Sequence, residues 1–284
     1  MEVSMDQVKE LRRVSGAGIL DCKKALADSQ GDMEKAVEYL RKKGLAAAAK
    51  RSGRTTNEGI VSVVLSEDGK QATMLSVMCE TDFVARTEEF KTLAMELTKD
   101  FADNAPISSG GAVSEESANA YKEHLTGLVA KIGENIQLGD YCKFQTSPTS
   151  HLFHYIHHNK KIGVLLELES EKTGEALEQL GKNLSLHIAS LAPEYVDKGD
   201  VPETVLSKEK EIYLEQLKET GKPQNVLEKI AEGKLQKFYE DRCLLLQEYA
   251  LPPNLPITQM LVETSKALGG TVKVVKFYRA KIGE

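Results

Sequence analysis

Two stretches of this 284-residue chain carry side chains able to do chemistry. His151, His154, His157 and His158 cluster in sequence, with Cys142 just upstream. Imidazole and thiolate are the common ligands of zinc. The spacing speaks against a metal, because strand alternation sends His151 and His157 to one face and His154 and His158 to the other. At most a pair converges, whereas zinc takes three or four protein ligands, so exposed hairpin histidines and no metal site are expected. The second stretch is Cys79-Glu80-Thr81-Asp82-Phe83-Val84-Ala85, where an apolar strand runs out and leaves an aspartate and an aromatic ring at a turn. Either Phe83 folds back as a staple for a helix beginning near Arg86, or it projects as an apolar wedge that finds its pocket on a partner protein. A phosphate-cradling Gly-x-x-x-x-Gly-Lys loop, a Gly-x-Ser-x-Gly elbow and a His-Glu-x-x-His pair are all missing, so no catalytic residue and no cofactor are assigned.

Composition narrows the class further. With 41% hydrophobic and 28% charged residues and no Trp, the chain reads as an ordinary soluble protein, long enough for more than one core. A net charge of -6 disfavours a general nucleic-acid binder, since phosphate contacts need a positive surface. The charge is uneven: residues 1–54 hold 12 Lys and Arg against 8 Asp and Glu, so the head is basic and the body acidic. An RNA-associated adaptor using Lys50, Arg51 and Arg54 is a third class, which the acidic body argues against. Cys22, Cys79, Cys142 and Cys243 are scattered without metal-site spacing and are expected as reduced thiols. Neither a signal-like apolar run at the start nor 18 consecutive apolar residues anywhere is present, so a cytoplasmic protein that makes no membrane contact is expected.

The elements that must position these residues follow from periodicity. Met5, Val8 and Leu11, then Ile19, Cys22 and Leu26, then Met33, Val37 and Leu40 mark three short helices, the last capped by Asp32 and ended by Gly44, giving a three-helix head over 1–44. Residues 45–58 read as a linker. A first α+β unit over 59–148 opens with a hairpin turning at Glu67-Asp68-Gly69-Lys70, passes the Asp82-Phe83 tip, continues through two helical stretches and closes on a strand from Ile136 to Phe144. A second unit over 149–284 repeats that order: a hairpin over 151–169, helices from Thr173, a last strand over 271–280. Within it, 203–248 holds two polar helical stretches parted by Gly221-Lys222-Pro223, with the narrow stripes Leu206, Tyr213, Leu217 and Leu227, Ala231, Leu235, Phe238; an antiparallel coiled-coil arm or a core-packed pair fits. Pro252, Pro253 and Pro256 then interrupt regular structure.

Val8-Lys9-Glu10-Leu11-Arg12, the run from Ser15 to Leu26, and Thr81-Asp82-Phe83-Val84-Ala85 together closely resemble bacterial elongation factor Ts. Agreement extends to Lys131-Ile132-Gly133-Glu134-Asn135-Ile136, to His157 before Ile162-Gly163-Val164-Leu165, to His187-Ile188-Ala189 and to Gly221-Lys222-Pro223, so the likeness spans nearly the whole chain. It implies an α+β fold with a ubiquitin-associated-like head, a core of two related α+β subdomains with antiparallel sheets, and an inserted coiled coil. It also implies a guanine-nucleotide exchange factor for elongation factor Tu, the GTPase that delivers aminoacyl-tRNA to the ribosome, with no catalytic chemistry of its own. By the same likeness Thr81, Asp82, Phe83 and Val84 form the segment that dislodges magnesium from that partner, indirectly. Arg12, Ile19 and Leu20 of the head and Ile132 and Gly133 of the core are further contacts, and His157 meets a more distant partner domain. The residues leave Ile19 open between core packing and contact and make Leu20 the better candidate for exposure, while Ile132 could equally cap its own helix. Many members of the family continue past the final strand into a C-terminal helical module, so head and core are expected to supply the affinity here. A static binding module that recruits a partner without exchange is the alternative.

Overall fold

Ser4 opens the first helix by a capping box: its hydroxyl accepts from the Gln7 N–H while the Gln7 side chain accepts from the Ser4 N–H, satisfying two amides that a helix start leaves bare. The computed structural model, which describes residues 3–218, 223–251 and 255–283, places there α1 (Met5–Ser15), α2 (Ile19–Asp28) and α3 (Met33–Arg51). Val8, Leu11, Cys22, Ala25, Leu26, Ala36 and Leu40 close a small core between them. Two expectations fail here. Met5, the first residue of its expected stripe, lies outside that core at 59% exposed, while Ile19, left open between packing and contact, is 47% exposed. The third helix does not stop at Gly44 but runs on to Arg51. A helical glycine costs about 1 kcal/mol against alanine. The following Ala46-Ala47-Ala48-Ala49, made of the strongest helix former, and packing against a later helix offset that cost.

The body is built as helix, sheet, sheet, helix. Strands β1 (Glu58–Leu65), β2 (Gln71–Cys79), β3 (Ser108–Ala112) and β4 (Gln137–Gln145) form an antiparallel sheet in the order β1-β2-β4-β3, and β5 (Ser150–Ile156), β6 (Ile162–Glu169) and β7 (Lys273–Lys281) form a second in the order β5-β6-β7. In each, a hairpin is followed by helices and a final strand that pairs antiparallel with the hairpin's second strand, so the expected repeat of element order is also a repeat of topology. β3 is an addition at one edge. Periodicity does not reveal it, since Ser108-Ser109-Gly110-Gly111-Ala112 has no apolar alternation.

Alternation along each strand feeds two cores. Ile60, Leu75, Val77 and Tyr141 face α5 (Glu88–Asn104) and, past the short α6 (Glu115–Ala120), α7 (Lys122–Ile132), whereas Val61, Met74, Cys142 and Phe144 face the second sheet and meet Leu165 and Ala280. On the far side Val164, Leu166 and Leu168 pack under α8 (Glu175–Leu191) and α11 (Ile257–Leu268). β2 and β6, covered on both faces, are therefore buried at nearly every position. At Gly163 the two sheets approach closely: a Cβ there would sit 2.5 Å from Val61 Cγ1 and 2.7 Å from Met74 Sδ. All four cysteines are free and buried. Burial pushes the Cys79 thiol up to about 12 and the Cys243 thiol up to about 11.

The helices α9 (Glu203–Lys218) and α10 (Gln224–Arg242) pack on each other through Leu217, Leu227 and Ala231, with Tyr213, Leu214 and Ile230 alongside. Contacts step up one helix as they step down the other, from Lys198 with Gln236 ahead of α9 to Leu217 with Leu227, so the pair is antiparallel. Of the expected turn Gly221-Lys222-Pro223, the first two residues lie outside the described residues, as do Pro252 and Pro253; Pro256 caps α11. No helix among the described residues is long and apolar enough to cross a membrane.

Candidate functional site

At Cys79 the buried strand β2 leaves the sheet, and the backbone amides of Glu80 and Thr81 lose their ladder partners. Glu134, just beyond the C-terminus of α7, supplies them: one carboxylate oxygen accepts from the Glu80 N–H at 3.1 Å and the Thr81 N–H at 3.0 Å, the other from the Thr81 hydroxyl at 2.6 Å. Because that hydroxyl hydrogen is committed to Glu134, the lone pairs of Thr81 Oγ are free to cap α4 (Asp82–Arg86), accepting from the Val84 N–H at 3.4 Å. The loop is held a second time by Glu80, which accepts from the Asn135 N–H at 2.7 Å and from the Arg54 guanidinium at 3.2 and 3.4 Å. Chiefly the Asn135 amide, and then Arg54, hold the Glu80 carboxyl below its usual range.

On this braced turn the side chains divide. Val84 and Ala85 pack inward against the first core, while the Phe83 ring stays 79% exposed. The staple reading fails: what anchors the segment is Val84, Ala85 and Glu134. The regular structure also differs from expectation, since α4 already contains the tip and breaks at Thr87, whose hydroxyl accepts from the Phe90 N–H and starts α5. Asp82 lies in the first turn of α4, where a carboxylate suits the helix dipole, and pairs with Arg86 at 2.8 Å. So exposed a pair contributes a few tenths of a kcal/mol at most.

The other expected residues fall at three places. Arg12 is exposed on α1, and Leu20, 81% exposed, stands beside Ile19 at the start of α2. The glycine turn between these helices lies against α7, where a Cβ on Gly16 would be 3.0 Å from the Lys131 side chain. Lys131 in turn reaches Glu89 of α5 at 2.5 Å. Next to it, Ile132 is half-buried against the first core, and Gly133, at φ 87°, ends α7 with its N–H donating to the Val129 carbonyl. Gly133, not Ile132, makes the cap, and it turns the chain so that Glu134 points at the tip.

His157 lies beyond the end of β5, in the β5–β6 turn. Its Nδ1 is 2.9 Å from the Tyr155 hydroxyl, and its ring centroid is 4.2 Å from that of His158. Strand alternation had sent these two to opposite faces, but the strand stops at Ile156. His151 bonds the Ser170 carbonyl through Nε2 at 3.1 Å, and Cys142 is sealed between the sheets. Among the described residues no group of three or more His, Cys, Asp or Glu side chains is arranged to hold a metal ion. A cleft of about 550 Å³ runs from Asp82 and Arg86 of the tip to His158, Lys160 and Lys161 of the turn, so tip and turn border one surface feature although they belong to different sheets.

Sequence reasoning missed Glu80, Glu134, Asn135 and Arg54. The signal was present, as Glu134 and Asn135 directly follow the Ile132-Gly133 pair in a motif already singled out, but a 53-residue separation hides the contact between Glu134 and Thr81. Arg54, counted with a basic cluster suited to RNA, is engaged with Glu80.

A sequence model described as Elongation factor TS matches residues 80–284. Elongation factor Ts of Desulfovibrio desulfuricans is 40% identical, over 99% of this chain and 98% of that protein. That of Aquifex aeolicus is 40% identical over 100% and 99%, and that of Clostridium tetani 41% identical over 99% and 94%. With likeness running end to end and with the braced Thr81-Asp82-Phe83-Val84 tip in place, the chain belongs to the elongation factor Ts family.

Proposed function

We propose that the chain is the guanine-nucleotide exchange factor of elongation factor Tu, acting in translation elongation by loosening the partner's magnesium and so promoting GDP release. It remodels a protein and catalyses no chemical reaction of its own. The observation that carries the reading is the exposed Phe83 ring on a rigid turn. Burying a phenylalanine is worth about 1.5–3 kcal/mol, a gain this fold forgoes and a partner pocket recovers.

The mechanism follows from what magnesium needs. The ion wants nearly octahedral oxygen ligands at about 2.0–2.1 Å. Phe83, driven between partner helices, needs to move the element carrying the groups behind those ligands by only about 1 Å to weaken metal and diphosphate together. Asp82 orients the loop or accepts a hydrogen bond from the partner; a single carboxylate is a poor competitor for an ion already held by phosphates and water. Thr81 caps the turn and Val84 roots it. Arg12, Ile19 and Leu20 give the basic head its contact, Ile132 and Gly133 a second core contact, and His157 one to a more distant partner domain. Exposure of Ile19 and Leu20, and the Gly16 turn beside α7, support a single continuous binding side.

The head is read as ubiquitin-associated-like and α9–α10, within 203–248, as a projecting coiled-coil arm, supported by the thin seam of Leu217, Leu227 and Ala231. The units remain a head over 1–44, a connection within 45–58, and core subdomains 59–148 and 149–284, with α3 carrying the connection rigidly as far as Arg51. The site of action is the cytoplasm.

Linkage fixes the thermodynamics. A factor that weakens nucleotide affinity a thousandfold binds the empty GTPase about 4.1 kcal/mol more tightly than the loaded one. Release of labelled GDP from elongation factor Tu tests this: a few per cent of the chain, relative to the GTPase, should speed release through many turnovers. A static binding module would hold loaded and empty GTPase alike and leave the rate unchanged, and that result would overturn the proposal.

A further inference from the structure

We propose that Glu134 is the positioning residue of the tip, holding the backbone from Glu80 to Val84 in the one geometry from which Phe83 enters the partner. The inference rests on the exchange reading above and adds to it the group that aims the wedge. Three observations converge. A single carboxylate takes both amides orphaned where β2 ends, so it fixes the direction in which the chain leaves the sheet. It also accepts the hydrogen bond of the Thr81 hydroxyl, which turns the Oγ lone pairs toward Val84 and so starts α4 with Phe83 in its first turn. Glu134 itself is aimed by Gly133, whose left-handed backbone at φ 87° ends α7, and by Asn135, whose N–H bonds Glu80 and whose side chain donates to the Arg54 carbonyl at 2.8 Å. The tip, the end of α7 and the chain leaving α3 are thus one hydrogen-bonded node.

The chemistry singles out a carboxylate. In Glu134→Gln the amide oxygen can still take the two backbone N–H groups, but the NH2 donates to Thr81 Oγ and competes for the lone pair that caps α4. In Glu134→Ala all three bonds are lost.

Both variants are to be made alone and combined with Phe83→Ala, and each assayed for GDP release over a range of factor concentrations, with amide hydrogen exchange at Glu80 and Thr81 read on the same proteins. The expected result is a maximal rate about tenfold lower in Glu134→Ala, a cost in keeping with an aim spoiled by a fraction of an ångström, with half-saturation changed by less than about twofold. In the Phe83→Ala background the same change should cost less than about twofold, because there is no ring left to aim. Exchange of the Glu80 and Thr81 amides should quicken at least about tenfold, and Glu134→Gln should fall between wild type and Glu134→Ala. An equal loss of rate with and without the ring, or unchanged amide exchange, would overturn the inference. Should Glu134→Ala fail to fold, Glu134→Gln carries the same comparisons. If Phe83→Ala alone exchanges normally, it is the wedge that fails, and the amide exchange still decides whether Glu134 holds the tip.

Discussion

At the scale of residues, exposure and bracing have opposite signatures in stability. The Phe83 ring contacts little of its own molecule, so Phe83→Ala should shift the unfolding free energy by less than about 0.5 kcal/mol, while Val84→Ala, which opens space against the first core, should cost about 1 kcal/mol or more. Denaturant melts of the two variants check this, and a large loss in Phe83→Ala would mean that the ring is part of the fold. The tip and its neighbours were legible in the sequence because an aromatic beside an aspartate at the end of an apolar strand is conspicuous. What braces them was not. Thr81 and Glu134 look like ordinary surface polar residues until a 53-residue loop closes and brings them to 2.6 Å.

At the scale of elements, the covered strands and the helix behind the second sheet make two predictions. Gly163 lies at a close approach of the sheets, and Gly163→Ala should cost about 1–3 kcal/mol, since Val61 and Met74 must move to admit a methyl group. Thermal melts decide it; an unchanged midpoint would mean that the sheets part without cost. His187, buried on α8, accepts from the Ala250 N–H at its Nδ1 (3.1 Å), and its Nε2–H donates to Gln247 Oε1 (2.8 Å), an arrangement that requires the neutral ring. Burial, above all, lowers its pKa below the ordinary imidazole value of about 6.5. The unfolded chain therefore binds a proton that the fold rejects, so this contribution to stability is present above about pH 6.5 and is lost as pH falls below it. Unfolding midpoints across pH 5–7.5 should fall toward acid, and His187→Gln should flatten that slope; an equal slope in the variant would remove the assignment. Hairpins, caps and the repeat were readable from turn residues and period. The failures have physical causes: β3 has no apolar pattern because it is an edge strand of small residues, and α3 outruns Gly44 because its continuation packs on α7.

At the scale of the whole molecule, the helix–sheet–sheet–helix body gives the tip something stiff to push from. The tip is joined through Val84 and Ala85 to the first core and through Glu134 to the end of α7, while Val61 and Met74 join the first sheet to the second. A wedge on a soft mount would be displaced by the partner instead of displacing it, so the proposed mechanism calls for a firm mount as well as for the ring. In the proposed mechanism the ring, and not mere binding, opens the nucleotide site. The most direct measurement is the rate of GDP release from elongation factor Tu at saturating factor, compared between the wild-type chain and Phe83→Ala. A rate lower by about tenfold or more in the variant, with its binding to the empty GTPase retained, is the predicted result. An equal rate from a chain without the ring would contradict the account.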